Sequence, residues 1–219
     1  MVGCFGLTDI LCFAETHCEE CIDNLPTDDY FYFQKQARRF SKHGRASGGM
    51  LIRVHSKLMG RVEPVTDICC SDFILWLKCS LPDDSFIFLG VCYFPPEGAQ
   101  IYNGGEVDPF DILLHDISVL QDKGTIVLVG DLNARIGQSQ VGLIHDDDEV
   151  VDDFLLGRER ILQDSKSNGF GKRLIRVCDG ANVLLLNGIF GGCSGNFTCV
   201  KWNGSSVVDF GAIIKNEVG

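Results

Sequence analysis

Short runs of apolar, β-branched and aromatic residues recur along the chain, each bounded by polar, glycine or proline positions. This pattern predicts strands over Asp9–Ala14, Gly49–Val54, Asp72–Leu81, Ser85–Phe94, Thr125–Val129, Val183–Asn187, Phe197–Trp202 and Ser206–Ile214. Leu81-Pro-Asp-Asp-Ser85 is turn chemistry, so the two strands around it read as an antiparallel hairpin. A different period follows Pro109: Phe110, Leu113, Leu114, Ile117 and Leu120 share one helical face, with Asp108 in the capping position. A second helix is predicted over Gly171–Ala181. Ile126-Val-Leu-Val and Val183-Leu-Leu-Leu are apolar at every position, so both faces of those strands need cover, from outer helices or from a second sheet. No repeat or linker divides the chain, and residues 1–219 read as one mixed α/β domain.

Composition narrows the class. With 45% hydrophobic residues the chain is too apolar for disorder, and no run approaches the roughly 18 apolar residues of a membrane span. The formal net charge is −11, yet the charges are segregated. Lys35 to Arg61 holds eight basic residues and no acidic one, residues 158–176 form a second basic stretch, and an acidic knot lies at 146–153. Solvated loops are the plain reading, and a phosphate-facing surface on an acidic body stays open. Eleven cysteines, without a leader, fit an intracellular, reducing compartment, nucleus or cytoplasm, with no disulfide-linked partner. Cys12, Cys79, Cys92 and Cys178 fall in apolar runs and read as small buried hydrophobes. Cys18 and Cys21 make one C-x-x-C, which has no matching second half for zinc.

Three apolar runs end directly in chemistry. Leu11-Cys-Phe-Ala-Glu15 ends in a carboxylate, Gly90-Val-Cys-Tyr93 in a phenol before Pro95-Pro96, and Val127-Leu-Val-Gly130 in Asp131 and Asn133. Together these groups suit a phosphate ester: oxygen ligands for a hard cation, a base for water, neutral donors for phosphoryl oxygens. Singly, each has a plainer reading. Glu15 can be a loop residue or helix cap, Tyr93 a core aromatic, and Asp131 a turn residue capping its own backbone.

Glu15-Thr16, Ser47-Gly48-Gly49, Tyr93-Phe-Pro-Pro, Gly130-Asp-Leu-Asn-Ala-Arg135 and Ser206-Val-Val-Asp209-Phe follow in an order that resembles the endonuclease/exonuclease/phosphatase superfamily. Arg45-Ala-Ser-Gly-Gly49 and Asp164-x3-Asn168-x2-Gly171-x2-Leu174 are similar to the endonuclease domains of non-LTR retrotransposons. The resemblance implies a four-layer α/β/β/α sandwich of two mixed sheets and a Mg²⁺-dependent (or Mn²⁺-dependent) DNA endonuclease leaving a 3′-hydroxyl. Its partner would be a reverse transcriptase domain. By the same resemblance Glu15 is a metal ligand, Asp131 positions or deprotonates water, Asn133 and Tyr93 bond the scissile phosphate, and Asp209 orients a histidine. Arg45, Asn168 and Thr198 become substrate-contacting or rim residues. Basic segments 35–61 and 158–176 become loops flanking the phosphate track.

The pattern also departs from the family. Its first strand ends in a metal-binding asparagine, whereas here Asn24 is the first asparagine; its closing Ser-Asp-His has no counterpart after Asp209. His17, His43, His55, His115 and His145 all lie upstream. Weak Mg²⁺ binding and impaired catalysis are the expectation. A lipid or inositol-phosphate phosphoesterase of the same superfamily, and a non-catalytic interaction module of the same fold, are the alternatives.

Overall fold

The computed structural model describes residues 9–20, 29–40, 42–66, 68, 71–139, 159–189 and 195–214. The acidic knot, Cys21 and Arg158 lie outside them. In chain order the elements are β1 (Ile10–Ala14), β2 (Tyr30–Arg38), β3 (Ser47–His55), β4 (Val62–Pro64), β5 (Ile74–Ser80), β6 (Phe86–Tyr93), α1 (Pro109–Leu120), β7 (Thr125–Asp131), α2 (Gly169–Gly180), β8 (Leu184–Leu185), β9 (Cys199–Lys201), β10 (Gly204–Ser206) and β11 (Asp209–Ile214).

Two sheets stack face to face. The larger has the order β4-β5-β6-β7-β11-β8 and is antiparallel except at β6–β7; the smaller is antiparallel with the order β1-β3-β2. This is the α/β sandwich expected from the sequence. Met50, Ile52, Val54, Leu77, Val91 and Tyr93 fill the layer between the sheets. On the far face of the larger sheet Trp76, Phe88 and Leu128 pack against Leu113 and Ile117 of α1 and Leu174 and Val177 of α2. Strands β6 and β7 are therefore covered on both sides, which is why they read as unbroken apolar runs. The hairpin predicted around residues 81–85 joins β5 to β6.

The helices start where their caps dictate. The Asp108 carboxylate accepts from the Phe110 amide at 3.0 Å, with Pro109 in the first turn. α2 begins two residues earlier than its apolar pattern predicts, because the Asn168 Oδ1 accepts from the Gly171 amide at 2.7 Å. A Cβ at Gly171 would lie 1.8 Å from the Arg135 carbonyl oxygen, so this glycine lets the helix sit directly on the chain that follows β7.

The basic stretch 35–61 is not one loop. It includes the end of β2 and all of β3, and several of its charges are engaged locally: Lys35 turns inward to the Ser71 and Ile74 carbonyls, Arg38 pairs with Asp72, Arg39 with Glu19, and Lys57 with Asp9. Much of the 158–176 stretch belongs to α2, and Arg160 is buried, donating to the carbonyls of Ser139, Leu185 and Asn187. Cys92 and Cys178 are buried as expected, whereas Cys12 is exposed on β1, which ends the smaller sheet. Among the described residues, cysteines 12, 18, 79, 92, 178 and 199 are free thiols, and no helix is long and apolar enough to cross a membrane.

Candidate active site

Strand register assembles the site. Tyr93 at the end of β6 stands opposite Asp131 in the parallel β6–β7 ladder, and Asp131 stands opposite Asp209 in the antiparallel β7–β11 ladder. Three polar groups from three adjacent strands thus form one transverse row. Gly130 makes this possible: its φ is +135°, and a Cβ there would lie 2.1 Å from the Cys92 carbonyl oxygen. No other residue fits where β7 presses against β6 before delivering Asp131. The ladder continues past the row through Phe94 N–H to Asp131 O (2.8 Å) and Leu132 N–H to Val208 O (3.0 Å).

Glu15 reaches the same place from the other sheet. It follows β1 in a left-handed turn, φ +55°, held by Thr16 N–H to Gly49 O (3.0 Å) and His17 N–H to Gly48 O (2.9 Å). Gly48 and Gly49 take φ of +82° and +85°, and a Cβ on Gly49 would collide with the Thr16 hydroxyl at 2.4 Å. The Tyr93 hydroxyl donates to Glu15 Oε1 at 3.1 Å, joining the two sheets across the core layer. Burial raises the Tyr93 phenol far above its ordinary range, and the Glu15 charge adds to that rise, so the hydroxyl stays protonated.

Asp131 is held by its neighbour. Oδ1 accepts from the Asn133 backbone amide at 2.8 Å, and Oδ2 accepts from Asn133 Nδ2 at 3.1 Å. The same Nδ2 donates to the Phe94 carbonyl at 2.9 Å. The self-capping turn read from Gly130–Asn133 is therefore present. Burial pushes the Asp131 carboxyl up to about 6 against the Asn133 amide bond; the charges of Asp209 and Glu15 add to the rise, and Lys201 offsets part of it.

These groups open onto a cleft of ≈ 650 Å³. Glu15, Tyr93, Asp131, Asn133, Thr198 and Asp209 all line it, together with Pro96, Arg135, Lys166 and Lys201. Arg45 and Asn168 do not. Arg45 is exposed two residues before β3. Asn168 is a brace behind the site: besides capping α2 it donates from Nδ2 to Asn133 O at 2.8 Å and accepts from the Arg135 amide at 2.9 Å. The Thr198 hydroxyl oxygen accepts from the amides of Val208 and Asp209 at 3.0 and 3.1 Å, tying the entry to β9 onto the start of β11.

Several lining groups escape the sequence reading. β9 and β10 form a hairpin at the lip of the cleft, carrying Lys201 and an indole, Trp202, that is 99% exposed. Its signal was present in Asn203-Gly204, a strong hairpin-turn dipeptide. Arg135 is clamped by the buried Asp164 carboxylate through Nε (2.8 Å) and Nη2 (2.6 Å). Burial works against ionising Asp164, yet Arg135 and the Lys166 and Val207 amides hold its carboxyl below the usual range. Among the described residues of the two basic stretches, Lys166 alone lines the cleft. Among the histidines, His17 comes within 3.4 Å of Glu15.

The lining offers oxygen donors from Glu15, Asp131 and Asp209, the chemistry of a hard divalent cation. Among the described residues no three His, Cys, Asp or Glu side chains are grouped tightly enough to enclose an ion. Such a site fits an ion like Mg²⁺, which takes one or two carboxylates and completes its shell with water and substrate oxygens, better than one needing a full protein cage.

No protein-family profile matches the sequence, and no curated protein does. Solved structures do. The Neisseria 3′ phosphatase NExo (D146N), bound to a product DNA hairpin, is 12% identical with a TM-score of 0.57, over 94% of this chain and 76% of that one. A humanized D. rerio TDP2 gives 13% and 0.54 over 96% and 72%, and the human Nocturnin catalytic domain with a bound sulfate anion gives 12% and 0.51 over 94% and 68%. With its row of strand-end acids at the mouth of a two-sheet sandwich, the chain has the fold of the endonuclease/exonuclease/phosphatase superfamily.

Proposed function

We propose that this chain is a divalent-metal-dependent phosphodiesterase that nicks DNA, of the kind found in non-LTR retrotransposons. The observation that carries this reading is the Tyr93–Asp131–Asp209 row, with Glu15 on the same cleft and the Asp131 carboxyl poised at about 6. A carboxylate with that affinity is an effective base near neutral pH. Asp131 would take the proton from water attacking phosphorus, with Asn133 fixing its orientation. The protonated Tyr93 hydroxyl would turn from Glu15 to donate to a phosphoryl oxygen. Glu15 would be the protein's carboxylate ligand to Mg²⁺ or Mn²⁺. When bound, the cation would neutralise charge on the phosphoryl oxygens.

Nucleic acid is favoured over a small phosphate ester by the lip of the cleft. Lys166, Lys201 and Arg135 offer phosphate contacts beyond the acidic row, and Trp202 offers an exposed ring for a base. The DNA in the NExo complex points the same way. The retroelement assignment and its reverse transcriptase partner rest on motifs around Arg45–Gly49 and Asp164–Leu174, and an intracellular setting on the cysteine content.

The test gives the 219-residue chain Mg²⁺ with supercoiled plasmid, and in parallel with inositol phosphates. Nicked circles whose ends a DNA polymerase extends are expected. Hydrolysis of inositol phosphates with intact plasmid would assign the site to the lipid-phosphoesterase branch, and no hydrolysis of either would leave a non-catalytic module of this fold.

A further inference from the structure

We propose that His17 is a positioning residue that sets the orientation of the Glu15 carboxylate. The inference rests on the metal-binding role proposed for Glu15. Glu15 and His17 both take left-handed backbone conformations, φ +55° and +56°, which side chains other than glycine rarely adopt. Such conformations persist where the surroundings over-determine them and cluster at functional sites. Here the Thr16 and His17 amides are fastened to Gly49 and Gly48. The His17 side chain is 16% exposed and reaches two oxygens. Its Nδ1 donates to the Ala46 carbonyl at 2.7 Å, which anchors the ring just before β3, and its Nε2 lies 3.4 Å from Glu15 Oε1.

The same Oε1 accepts from Tyr93 at 3.1 Å. One carboxylate oxygen thus accepts from a phenol of the larger sheet and packs beside an imidazole tied to the smaller one. Glu15 lines the cleft and His17 does not. A side chain that is 48% exposed at the end of an edge strand would otherwise sample several rotamers. Partners behind a metal ligand have this orienting role, and their loss weakens metal binding by about 10–100-fold.

The test compares the wild-type chain with His17→Asn, which keeps an amide donor for Ala46 but has no atom that reaches Glu15. Mn²⁺ affinity is measured by calorimetry, thermal stability by melting, and the Glu15 rotamer in metal-free crystals of both proteins. The expected result is Mn²⁺ binding weakened by about 10–100-fold, a melting temperature close to wild type, and Glu15 turned away from its wild-type rotamer. An unchanged rotamer with unchanged affinity overturns the inference. If His17→Asn does not fold, His17→Lys serves, because its ammonium can reach Glu15 without the ring. Mn²⁺ affinity near wild type supports the inference, and affinity as weak as that of Glu15→Gln overturns it. If the wild-type chain binds no Mn²⁺, the proposed metal dependence fails, and the Glu15 rotamer in the metal-free crystals still decides the role of His17.

Discussion

Asp131 and Asp209 face each other directly across the β7–β11 ladder, two carboxylates in one cross-strand pair. Like charges so placed destabilise a sheet, by about 0.2–1 kcal/mol for a typical pair. A pairing kept despite that penalty is expected where the charge serves chemistry. Asp209→Asn should therefore raise the melting temperature by about 1–3 °C while lowering phosphodiesterase activity. Calorimetric melting together with a nicking assay checks both halves.

The same pair sets a pH dependence with a definite sign. The Asp131 carboxyl is raised to about 6, so catalysis through its ionised form is lost as pH falls through that value. Removing the Asp209 charge should move this acid limb to lower pH, and Lys201→Met should move it to higher pH. Profiles of kcat/KM for the two variants that shift the same way would contradict the electrostatic account.

Asn168 separates a brace from a substrate contact. Its side chain caps α2 and holds the backbone of Asn133 and Arg135. Asn168→Ala should cost about 1–2 kcal/mol, a fall of several degrees in melting temperature, with lower activity following from the loosened Asn133. A raised KM at unchanged stability would instead place Asn168 against substrate, as the family resemblance implied.

Trp202 is the cleanest probe of the ligand class. Its indole is almost fully exposed on the β9–β10 hairpin, so Trp202→Ala should leave stability unchanged. A stacked base is worth about 1–3 kcal/mol, so DNA affinity should fall about 5–150-fold by fluorescence anisotropy. Equal affinities would remove the hairpin from the binding surface.

Much of this arrangement can be read from the chain. The strands that end in Tyr93 and Asp131 are legible because their apolar runs are covered on both faces and stop abruptly at Pro95-Pro96 or at Gly130, whereas β1, with Cys12 and Phe13 exposed, is legible only as a short apolar run before Glu15. β2 is harder to see: Tyr30–Phe33 has strand-forming aromatics, but Lys35 and Arg38 draw attention to charge, and only tertiary pairing shows those cations engaged. The row Tyr93–Asp131–Asp209 depends on register, which no local pattern encodes. His17 is set aside on chain position alone, although a left-handed turn brings it back to Glu15. Asn168 belongs to a family motif, and its observed bonds are those of a helix cap and of a brace on Asn133 and Arg135.

The most direct test follows plasmid nicking by the wild-type chain and Asp131→Asn in Mg²⁺ from pH 5 to pH 8. Wild type should nick with an acid limb near 6, and the variant should be slower by about 10²–10⁴-fold throughout. Equal nicking by both proteins, or a wild-type profile flat through pH 6, would contradict the assignment of Asp131 as the base.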